Sequence, residues 1–402
     1  MRYLALALLL ALPARAEISY PVVDTGQETC FDDRGHATCP APGRPFHGQD
    51  AQYRFRAPAY RDNGDGTVTD LVTGLMWQQE FRRTPFADAP ADAAASRVGG
   101  HMDWRVPTIK ELYSLIDFRG STGSAPPHMG RPDDAWPYLD TRFFAFEYPA
   151  QGRFIDAQYI SGTVYLGTTM GRDRAFFGVN FADGRIKGYP QDGGPGRRTW
   201  YARYVRGNPA YGQNDFVDAG DGTVADRATG LTWLKADSGD GAFRNMRMRD
   251  GRLDWKEALK FCEDLDFAGR TDWRLPDAKE LHSLVDYSRS PEATGSAAID
   301  PVFAITAIRD PEGERDWPYF WTSTSHLDGP RLGDFGIYIA FGRAQGHLRD
   351  PRGGGVRLLD VHGAGAQRSS PKSGDESRLP VGAGPQGDVL RIYNFARCVR
   401  GG

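Results

Sequence analysis

DNGDGTVTD at residues 62–70 recurs as DAGDGTVAD at residues 218–226, and each copy is followed by a Thr-Gly-Leu-x-Trp segment ending at Trp77 or Trp233. The two tryptophans are 156 residues apart (233 − 77). Short apolar runs flanked by Asp-Gly and Thr-Gly turns are typical of a tight β meander. Recurrence of such an ordered segment indicates an internal duplication.

The duplication extends through most of the chain. Asp-Trp-Arg-Val-Pro at residues 103–107 recurs as Asp-Trp-Arg-Leu-Pro at residues 272–276, and a Lys-Glu-Leu-x-Ser-Leu segment follows both. Ala-Arg-Tyr-Val-Arg-Gly at residues 202–207 is matched by Ala-Arg-Cys-Val-Arg-Gly at residues 396–401. So many matches in the same order predict one domain written twice.

The composition is that of a loop-rich globular protein. Of 402 residues, 49 are Gly and 27 are Pro, without the G-X-Y period that a collagen helix requires. The formal net charge is only −3. Because this balance creates no large field of one sign, we expect no nucleic-acid partner.

The chain begins with the pattern of a secretory signal peptide. An apolar run from Leu4 to Leu12 precedes an Ala-Arg-Ala cleavage motif ending at Ala16. The run is too short to span a bilayer as a helix, and no later stretch is apolar enough. We therefore expect an exported protein without a transmembrane segment, located in the periplasm, at the cell surface or outside the cell.

The predicted organisation is a signal peptide at 1–16, a short Cys-clipped segment at 17–51, a first domain at 52–207 and a second domain at 208–402. Segment 17–51 is too small to hold a core, so we expect it to dock on the first domain. Residues 361–387 are rich in Gly, Ser and Pro without an apolar period, and are predicted to be a flexible loop inserted in the second domain.

Four cysteines allow three pairings, and an even number in an oxidising compartment predicts disulfides. Cys30 and Cys39 are close in sequence, which favours a bridge between them. Cys262 and Cys398 both belong to the second domain, and the first domain has Ala and Tyr at the matching positions. Their joint presence in one copy and joint absence in the other predict a Cys262–Cys398 disulfide.

Each domain is predicted to be α+β. A helical apolar period spans residues 254–265, and a second helix is capped by Thr108 or Asp277 with a Glu three residues later. The later part of each copy alternates apolar and polar residues, which is typical of antiparallel sheet. We predict two helices packed on a twisted, antiparallel, loop-rich sheet in each of two tandem domains.

These motifs, in this order, together with Phe-Trp-Thr-Ser-Thr at residues 320–324 and the closing Arg-Cys-Val-Arg, resemble the Lcl C-terminal domain family, which is named for a bacterial collagen-like adhesin. The resemblance implies C-type-lectin-like domains, secretion, and adhesion through sulfated glycosaminoglycans. It also implies that Cys262 and Cys398 are the structural pair of the family. The first domain reads Tyr-Leu-Gly-Thr-Thr at residues 165–169 in place of the aromatic-Trp motif, so we choose the second domain as the binding half.

We therefore predict an exported, non-enzymatic, adhesin-like module of the cell envelope that binds a glycan or cell-surface polysaccharide, sulfated chains included. The candidate ligand-binding residues are aromatics expected to be exposed and arginines on late loops of the second domain: Trp317, Tyr319, Trp321, Arg331, Arg343, Arg349 and Arg352. A structural or protein-interaction module of the envelope is the alternative. An enzyme on a scaffold like that of the formylglycine-generating enzymes is a third hypothesis, for which we find no catalytic motif.

Two further residue sets repeat in both copies. Calcium is the one cofactor considered, with the repeated aspartates as ligands: Asp62, Asp65, Asp70, Asp218, Asp221 and Asp226. Arg61 spoils the spacing of a calcium loop of the EF-hand type, so we interpret these aspartates as turn caps. The second set is interpreted as structural core: Trp77, Trp104, Arg105, Glu111, Trp233, Trp273, Arg274 and Glu280.

Overall fold

The computed structural model describes residues 18–124, 129–192, 198–243, 249–328, 331–349, 355–384 and 386–402. The predicted signal peptide and Arg352 lie outside these residues. Strand makes up 28% of the structure and helix 13%, so the protein is mostly sheet. In the described part of the chain, no helix has the length and apolar character needed to cross a membrane.

The strands of the first half are β1 (Cys30–Phe31), β2 (His36–Ala37), β3 (Tyr60–Asp62), β4 (Thr67–Asp70), β5 (Met76–Gln78), β6 (Arg82–Thr84), β7 (Gln158–Val164), β8 (Ala175–Asn180), β9 (Arg185–Pro190), β10 (Trp200–Ala202) and β11 (Val205–Arg206). The helices are α1 (Ala89–Ala95) and α2 (Ile109–Ser114).

The strands of the second half are β12 (Phe216–Asp218), β13 (Thr223–Asp226), β14 (Thr232–Leu234), β15 (Ile308–Arg309), β16 (Arg315–Asp316), β17 (Tyr319–His326), β18 (Phe335–Ala340), β19 (Gln345–Arg349), β20 (Val356–Asp360), β21 (Gln367–Pro371) and β22 (Val399–Arg400). The helices are α3 (Trp255–Glu263), α4 (Ala278–Ser283) and α5 (Pro291–Thr294).

One eight-stranded sheet runs through both domains, in the order β17-β18-β21-β9-β8-β7-β10-β6. Each domain adds a four-stranded meander, β11-β5-β4-β3 in the first and β12-β13-β14-β22 in the second. The meanders are built from the repeated Asp-Gly-Thr-Val and Thr-Gly-Leu-x-Trp segments. Trp77 and Trp233 lie opposite Val68 and Val224 in these meanders and are fully buried.

The two domains meet in the large sheet between β21 and β9, which pair at Gln367 and Ile186. Ile186 also pairs with Val179 on β8, and Gln367 pairs with Ile339 on β18. β8 and β18 occupy matching places, next to β7 and β17. Ile186 and Gln367 therefore hold equivalent positions in the two domains. Because they pair with each other, an approximate two-fold axis relates the two domains.

The same axis passes between α2 and α4, which pack against each other. Lys110 Nζ donates a hydrogen bond to the Ser283 carbonyl at 2.7 Å, and Lys279 Nζ donates to the Ser114 carbonyl at 2.9 Å. Each lysine therefore binds the C-terminal end of the other domain's helix. One hydrophobic core, with residues from both halves, surrounds these helices.

The capping boxes predicted for α2 and α4 are confirmed. Glu111 N donates to Thr108 Oγ1 at 3.2 Å, and Thr108 N donates to Glu111 Oε2 at 2.8 Å. Asp277 and Glu280 make the same exchange. The repeated arginines hold these glutamates: Arg105 pairs with Glu111, and both terminal nitrogens of Arg274 lie 2.6 Å from carboxylate oxygens of Glu280.

The predicted fold class is wrong. We expected two C-type-lectin-like domains, each with two helices on its own sheet. The helices are instead four to nine residues long, too short to form a layer, and the principal sheet is shared by both domains. The large sheet is the main structural element because, unlike the short helices, it continues from one domain into the other through the pairing of β9 with β21.

Both predicted disulfides are confirmed. Cys30 and Cys39 clip the β1–β2 hairpin, and Cys262 on α3 is joined to Cys398, which directly precedes β22. The described residues contain no free cysteine.

The N-terminal segment at residues 18–52, which we call the strap, lies across the second domain. Lys279 Nζ donates to the Asp24 carbonyl at 2.9 Å, and Lys372 Nζ donates to the Phe31 carbonyl at 2.9 Å. Tyr53, just after the strap, donates to Glu263 at 2.7 Å. The segment was expected to dock on the first domain; it contacts that domain at Phe118, whose amide donates to the Thr25 carbonyl, and it also contacts the second domain through these lysines.

Residues 361–387 are not a loop throughout. β21 lies within this segment and occupies the middle of the large sheet, with Gln367 and Ser370 fully buried. Arg368 on the same strand forms an ion pair with Asp388. The strand has no apolar period because the side chains that it buries are polar, so the prediction of a flexible loop is corrected for residues 361–371.

Asp50 of the strap is a buried carboxyl group with incomplete hydrogen bonding. Its Oδ2 accepts hydrogen bonds from the Thr25 hydroxyl at 2.8 Å and the Thr324 hydroxyl at 2.5 Å. Its Oδ1 is buried and has no hydrogen-bond partner among the described residues. Burial, with a contribution from the nearby Asp24 carboxylate, raises the pKa of Asp50 to about 7.

We predict that Asp50→Asn removes a pH-dependent part of the stability. The pKa is higher in the folded state than in the unfolded chain, so this contribution is complete below about pH 4 and is lost as the pH rises through about 7. The unfolding free energy of Asp50→Asn should therefore rise relative to that of the parent protein between pH 4 and pH 8. Denaturant titrations at several pH values measure this difference, and a difference that stays constant with pH would contradict the prediction.

Candidate functional site

The three aromatic residues predicted to bind ligand are buried. Trp317 is 6% exposed, Tyr319 1% and Trp321 0%. Trp321 donates its indole N–H to the Leu253 carbonyl at 2.9 Å and belongs to the core that also holds Trp255. The expectation that these rings are exposed is therefore wrong, although Tyr319 still lines a cavity.

The predicted arginines do not gather at one place. Arg343 Nε donates to Glu292 at 2.5 Å, and Arg331 lies 3.1 Å from Asp334. Arg349 is exposed at the end of the β19–β20 hairpin, and Arg352 lies outside the described residues. Arg331 and Arg343 are therefore already paired with carboxylates.

Three other arginines of the second domain surround a cavity of about 300 Å³, which we call the arginine pocket. Arg252 precedes α3, Arg309 ends β15, and Arg391 lies in the segment between β21 and β22. Tyr319 and Tyr393 line the same cavity. Arg252 and Arg309 are exposed and Arg391 is half-buried, so their guanidinium groups stand at the mouth of the cavity and in its wall.

Arginine stacks on both tyrosines of the pocket. The Arg391 guanidinium lies 4.2 Å from the centre of the Tyr319 ring, and the Arg249 guanidinium lies 4.1 Å from that of Tyr393. Burial raises the pKa of Tyr319 to about 12, although the Arg391 charge acts in the opposite direction. Tyr319 is therefore a neutral phenol, and it donates to the Arg343 carbonyl at 3.1 Å.

The two acidic residues of the pocket are engaged in backbone contacts. Asp310 accepts hydrogen bonds from the Glu312 and Glu314 amides at 3.0 and 2.9 Å. Glu376 Oε1 accepts one from the Ile392 amide at 3.1 Å. Across the described ranges, no carboxylate oxygen lies within 4.0 Å of a side-chain nitrogen of Arg252, Arg309 or Arg391.

This arrangement can bind an anion. Forked guanidinium groups without a carboxylate partner recognise sulfate and carboxylate through paired hydrogen bonds, and guanidinium groups also stack on aromatic rings. Two of the arginines donate a hydrogen bond to a nearby backbone carbonyl: Arg309 donates to Gly313 at 2.7 Å, and Arg252 donates to Arg249 at 3.3 Å. The remaining N–H groups of these two exposed side chains can therefore turn toward a ligand.

All residues that line the arginine pocket belong to the second domain. Pro371 and Asn394 correspond to Pro190 and Trp200, because β21 and β9 occupy matching places in the sheet. The first domain has 9 residues in this connection (200 − 190 − 1), whereas the second has 22 (394 − 371 − 1). The longer connection contains Glu376 and Arg391, which line the pocket.

The repeated aspartates cap turns in both domains. Asp62 accepts from the Gly64 amide at 2.8 Å and Asp65 from the Thr67 amide at 3.1 Å; Asp218 and Asp221 do the same in the second domain at 3.0 Å each. Asp70 and Asp226 likewise accept from backbone amides two residues on. Within the described part of the chain, no group of three or more His, Cys, Asp or Glu could hold a metal ion.

The repeated core residues lie inside both domains. Trp77, Trp104, Trp233 and Trp273 are at most 4% exposed, and the carboxylates of Glu111 and Glu280 are buried against their arginines. Trp104 and Trp273 donate to the Val98 and Phe267 carbonyls at 3.1 and 3.2 Å. These tryptophans and Arg–Glu pairs are the same in both domains, so they are not specific to the domain that holds the arginine pocket.

Comparison with known proteins identifies the repeated unit. The sequence model of the protein family described as the Lcl C-terminal domain matches the chain twice, at residues 66–206 and 222–358. No curated protein and no solved structure matches the chain significantly. The two matches cover well over half of the chain and coincide with the internal duplication. The chain therefore belongs to the Lcl C-terminal domain family, with two such domains in tandem.

Proposed function

We propose that this protein is an exported, non-enzymatic binding protein that holds an anionic polysaccharide, sulfated or rich in uronic acid, in the arginine pocket of its second domain. The observation that carries the proposal is the meeting of Arg252, Arg309 and Arg391, none paired with a carboxylate, around a cavity with two tyrosine rings. Cavities of about 300 Å³ are large enough for a small ligand. One or two sugar units of a longer chain would occupy the pocket.

The chemistry of the pocket suits this ligand class. Sulfate and carboxylate groups accept the paired hydrogen bonds that guanidinium donates, and a tyrosine face packs against the apolar face of a sugar ring. The pocket is lined by three arginines against two acidic residues, Asp310 and Glu376, whose carboxylates accept hydrogen bonds from backbone amides and form no ion pair with these arginines. An adhesin-like role at the cell envelope follows from binding of this kind.

Export is supported by two observations on different parts of the chain. Residues 1–16 have the signal-peptide pattern, and the chain contains two disulfides, which persist in oxidising compartments.

We predict that Arg391→Ala weakens binding to a sulfated polysaccharide at least tenfold. The substitution removes a guanidinium from the pocket wall together with its contact on Tyr319. Binding of the oxidised, mature protein to heparin and to neutral dextran can be measured by biolayer interferometry at low and high salt. Binding to heparin should fall with salt because the contacts are ionic.

Arg378→Ala is the matched control, since Arg378 lies in the same connection, is 85% exposed, and changes the net charge equally. It should alter the affinity less than twofold. Equal losses in both variants would indicate a non-specific charge effect and would contradict the proposal, as would the absence of any heparin binding.

A protein-interaction role at the envelope is the second candidate. A second cavity favours it: this cavity has a volume of about 410 Å³, is lined by residues of both domains such as Lys110 and Tyr287, and is described in the next subsection.

A further inference from the structure

The strap fills a groove between the two domains. Phe118 N, just after α2, donates to the Thr25 carbonyl at 2.9 Å. On the other side of the groove, Ser325 N donates to Gln27 Oε1 at 2.9 Å, and Gln27 Nε2 donates to the Ser325 carbonyl at 2.9 Å. The strap thus supplies one backbone carbonyl to the first domain and one side-chain amide to the open edge of β17 in the second.

The approximate two-fold axis relates this groove to a second one, which is formed by the matching residues of the opposite domains. Thr163 matches Thr324, because the two hydroxyls accept hydrogen bonds at 3.0 Å from the first amides of α2 and α4, respectively. Val164 therefore stands where Ser325 stands. Tyr287 stands where Phe118 stands, 169 residues further along the chain (287 − 118).

This second groove is open. It contains a cavity of about 410 Å³ whose lining includes Thr108, Ile109, Lys110, Thr163, Asp286 and Tyr287. We call it the open groove. Tyr287 N, the counterpart of the Phe118 amide that binds the strap, has no hydrogen-bond partner among the described residues. The lining residues Thr108, Pro209 and Gln213 are exposed, so the cavity is accessible from solvent.

Burial of the two strands differs accordingly. Every residue of β17 is buried beneath the strap and the neighbouring elements. At the matching end of β7, Gly162 is exposed, Val164 is 40% exposed, and Leu166, just beyond the strand, is 46% exposed. A strand edge with exposed apolar side chains is a template for an added extended segment.

The groove that the strap fills also indicates which kind of segment would fit the open groove. Gly26 lies between Thr25 and Gln27 with a φ of +82°, and a Cβ at this position would lie 3.0 Å from Asp117 Oδ1. Asp286 matches Asp117 in the open groove (286 − 117 = 169) and lines the cavity. A segment bound there therefore needs glycine at its centre, a carbonyl before it and a carboxamide side chain after it.

The base of the open groove is occupied by residues 209–214 of the chain itself, because the Gly212 carbonyl binds Lys110 as the Asp24 carbonyl of the strap binds Lys279. The vacant part of the groove therefore corresponds to Thr25, Gly26 and Gln27 of the strap. Lys110 Nζ donates to the Gly212 carbonyl at 3.0 Å, to Asn214 Oδ1 at 2.9 Å and to the Ser283 carbonyl at 2.7 Å. Burial lowers the pKa of Lys110 to about 8. The groove therefore does not offer a free cation to an anionic sugar, which separates it from the arginine pocket.

We propose that the open groove is a docking site for an extended segment of a partner polypeptide with an x-Gly-Gln pattern, bound as Thr25, Gly26 and Gln27 of the strap are bound. The carbonyl before the glycine accepts from Tyr287 N, and the Gln side chain pairs with the exposed edge at Val164. This inference goes beyond the proposed polysaccharide binding and does not depend on it.

The test uses the chain's own strap sequence as the probe. A fluorescein-labelled peptide of residues 25–29, TGQET, is titrated with the full mature protein and followed by fluorescence anisotropy. We expect saturable binding in the micromolar range. Peptides with Gln27→Ala or Gly26→Val should bind at least tenfold more weakly, because the first loses the edge contacts and the second clashes with Asp286.

The place of binding is fixed by photo-crosslinking with a benzoylphenylalanine at the first position of the peptide. Crosslinks should fall on residues 162–166, 209–214 or 284–287. Crosslinks confined to residues 277–281 and 322–326 would mean that the peptide exchanges with the strap, which would overturn the proposal. No binding, or equal binding of the substituted peptides, would also overturn it.

A variant separates the two sites of the protein. Arg391→Ala should bind the peptide as the parent protein does, because Arg391 lies in the other pocket. Val164→Pro removes an amide at the groove edge and should weaken peptide binding while heparin binding is unchanged. Loss of both activities in Val164→Pro would reflect misfolding, and the substituted peptides, which leave the protein intact, then decide the question.

Discussion

Replacing both Cys262 and Cys398 with alanine is expected to lower the free energy of unfolding by about 5 kcal/mol. The bridge joins residues 136 apart in sequence, so it removes a large loop-closure entropy from the unfolded chain. Both sulfurs are buried in a core with Trp255, Leu259 and Trp321, and alanine also leaves space there. Denaturant titration of the oxidised parent and of the double variant measures the difference.

The Cys30–Cys39 bridge provides the comparison. Its separation is 9 residues, so the same model gives only about 2 to 3 kcal/mol for its removal. If the two double variants lose the same stability, loop-closure entropy is not the dominant effect of the long bridge.

Arg397→Met is expected to cost about 4 kcal/mol of stability, because it leaves buried carbonyls without their donor. Arg397 is 1% exposed and donates to the Leu234, Lys235 and Ala304 carbonyls at 2.8, 2.5 and 2.6 Å. Burial lowers the pKa of this guanidinium to about 10, yet it keeps its charge at neutral pH. Thermal and denaturant unfolding of the variant measure the loss.

Arg203 in the first domain holds the Gln78, Gln79 and Ala145 carbonyls in the same way, so Arg203→Met should cost a similar amount. Arg378→Met, at an exposed position, should change stability by less than about 0.5 kcal/mol. A loss below about 1 kcal/mol for Arg397→Met would show that water replaces the guanidinium at the three carbonyls.

Local features of the fold could be predicted from the sequence because their causes are local. The meanders follow from Asp-Gly and Thr-Gly turns, the helix starts from capping boxes, and the long disulfide from two cysteines that occur together in one copy. The duplication itself is visible as sequence motifs that recur in the same order. Each of these depends on residues whose partners are nearby in sequence or are repeated at a fixed distance.

The shared sheet could not be predicted in this way. β21 takes the place that β9 has in the first domain, because the β19–β20 hairpin is inserted before it. Gly-Arg at residues 342–343 resembles Gly-Arg at residues 184–185, where β9 begins, yet it is followed by β19 and not by the strand that pairs with β9. Pairing between β9 and β21 is a property of the whole assembly, and no local pattern of Gln-Arg-Ser-Ser-Pro marks a central strand.

The arginine pocket escaped prediction for a similar reason. Arg252, Arg309 and Arg391 are separated by 57 and 82 residues (309 − 252 and 391 − 309), and the repeat does not group them. Of the three aromatic residues chosen, Tyr319 and Trp321 are buried because they lie on β17, a fully covered strand, and Trp317 is buried just before it. The one sequence feature that indicates a domain-specific site is the length of the connection after β21, which has 22 residues against 9 in the first copy.

The pairing of β9 with β21 makes this chain a fused homodimer in its geometry. A single Lcl domain with the same strands would end at an unpaired β9 and would complete its sheet by an isologous contact with a second copy. Joining the two copies in one polypeptide frees them from having to remain identical. One copy could then acquire the long connection with its arginines while the other kept an uncovered strand edge, so that a single symmetric frame carries two dissimilar surfaces.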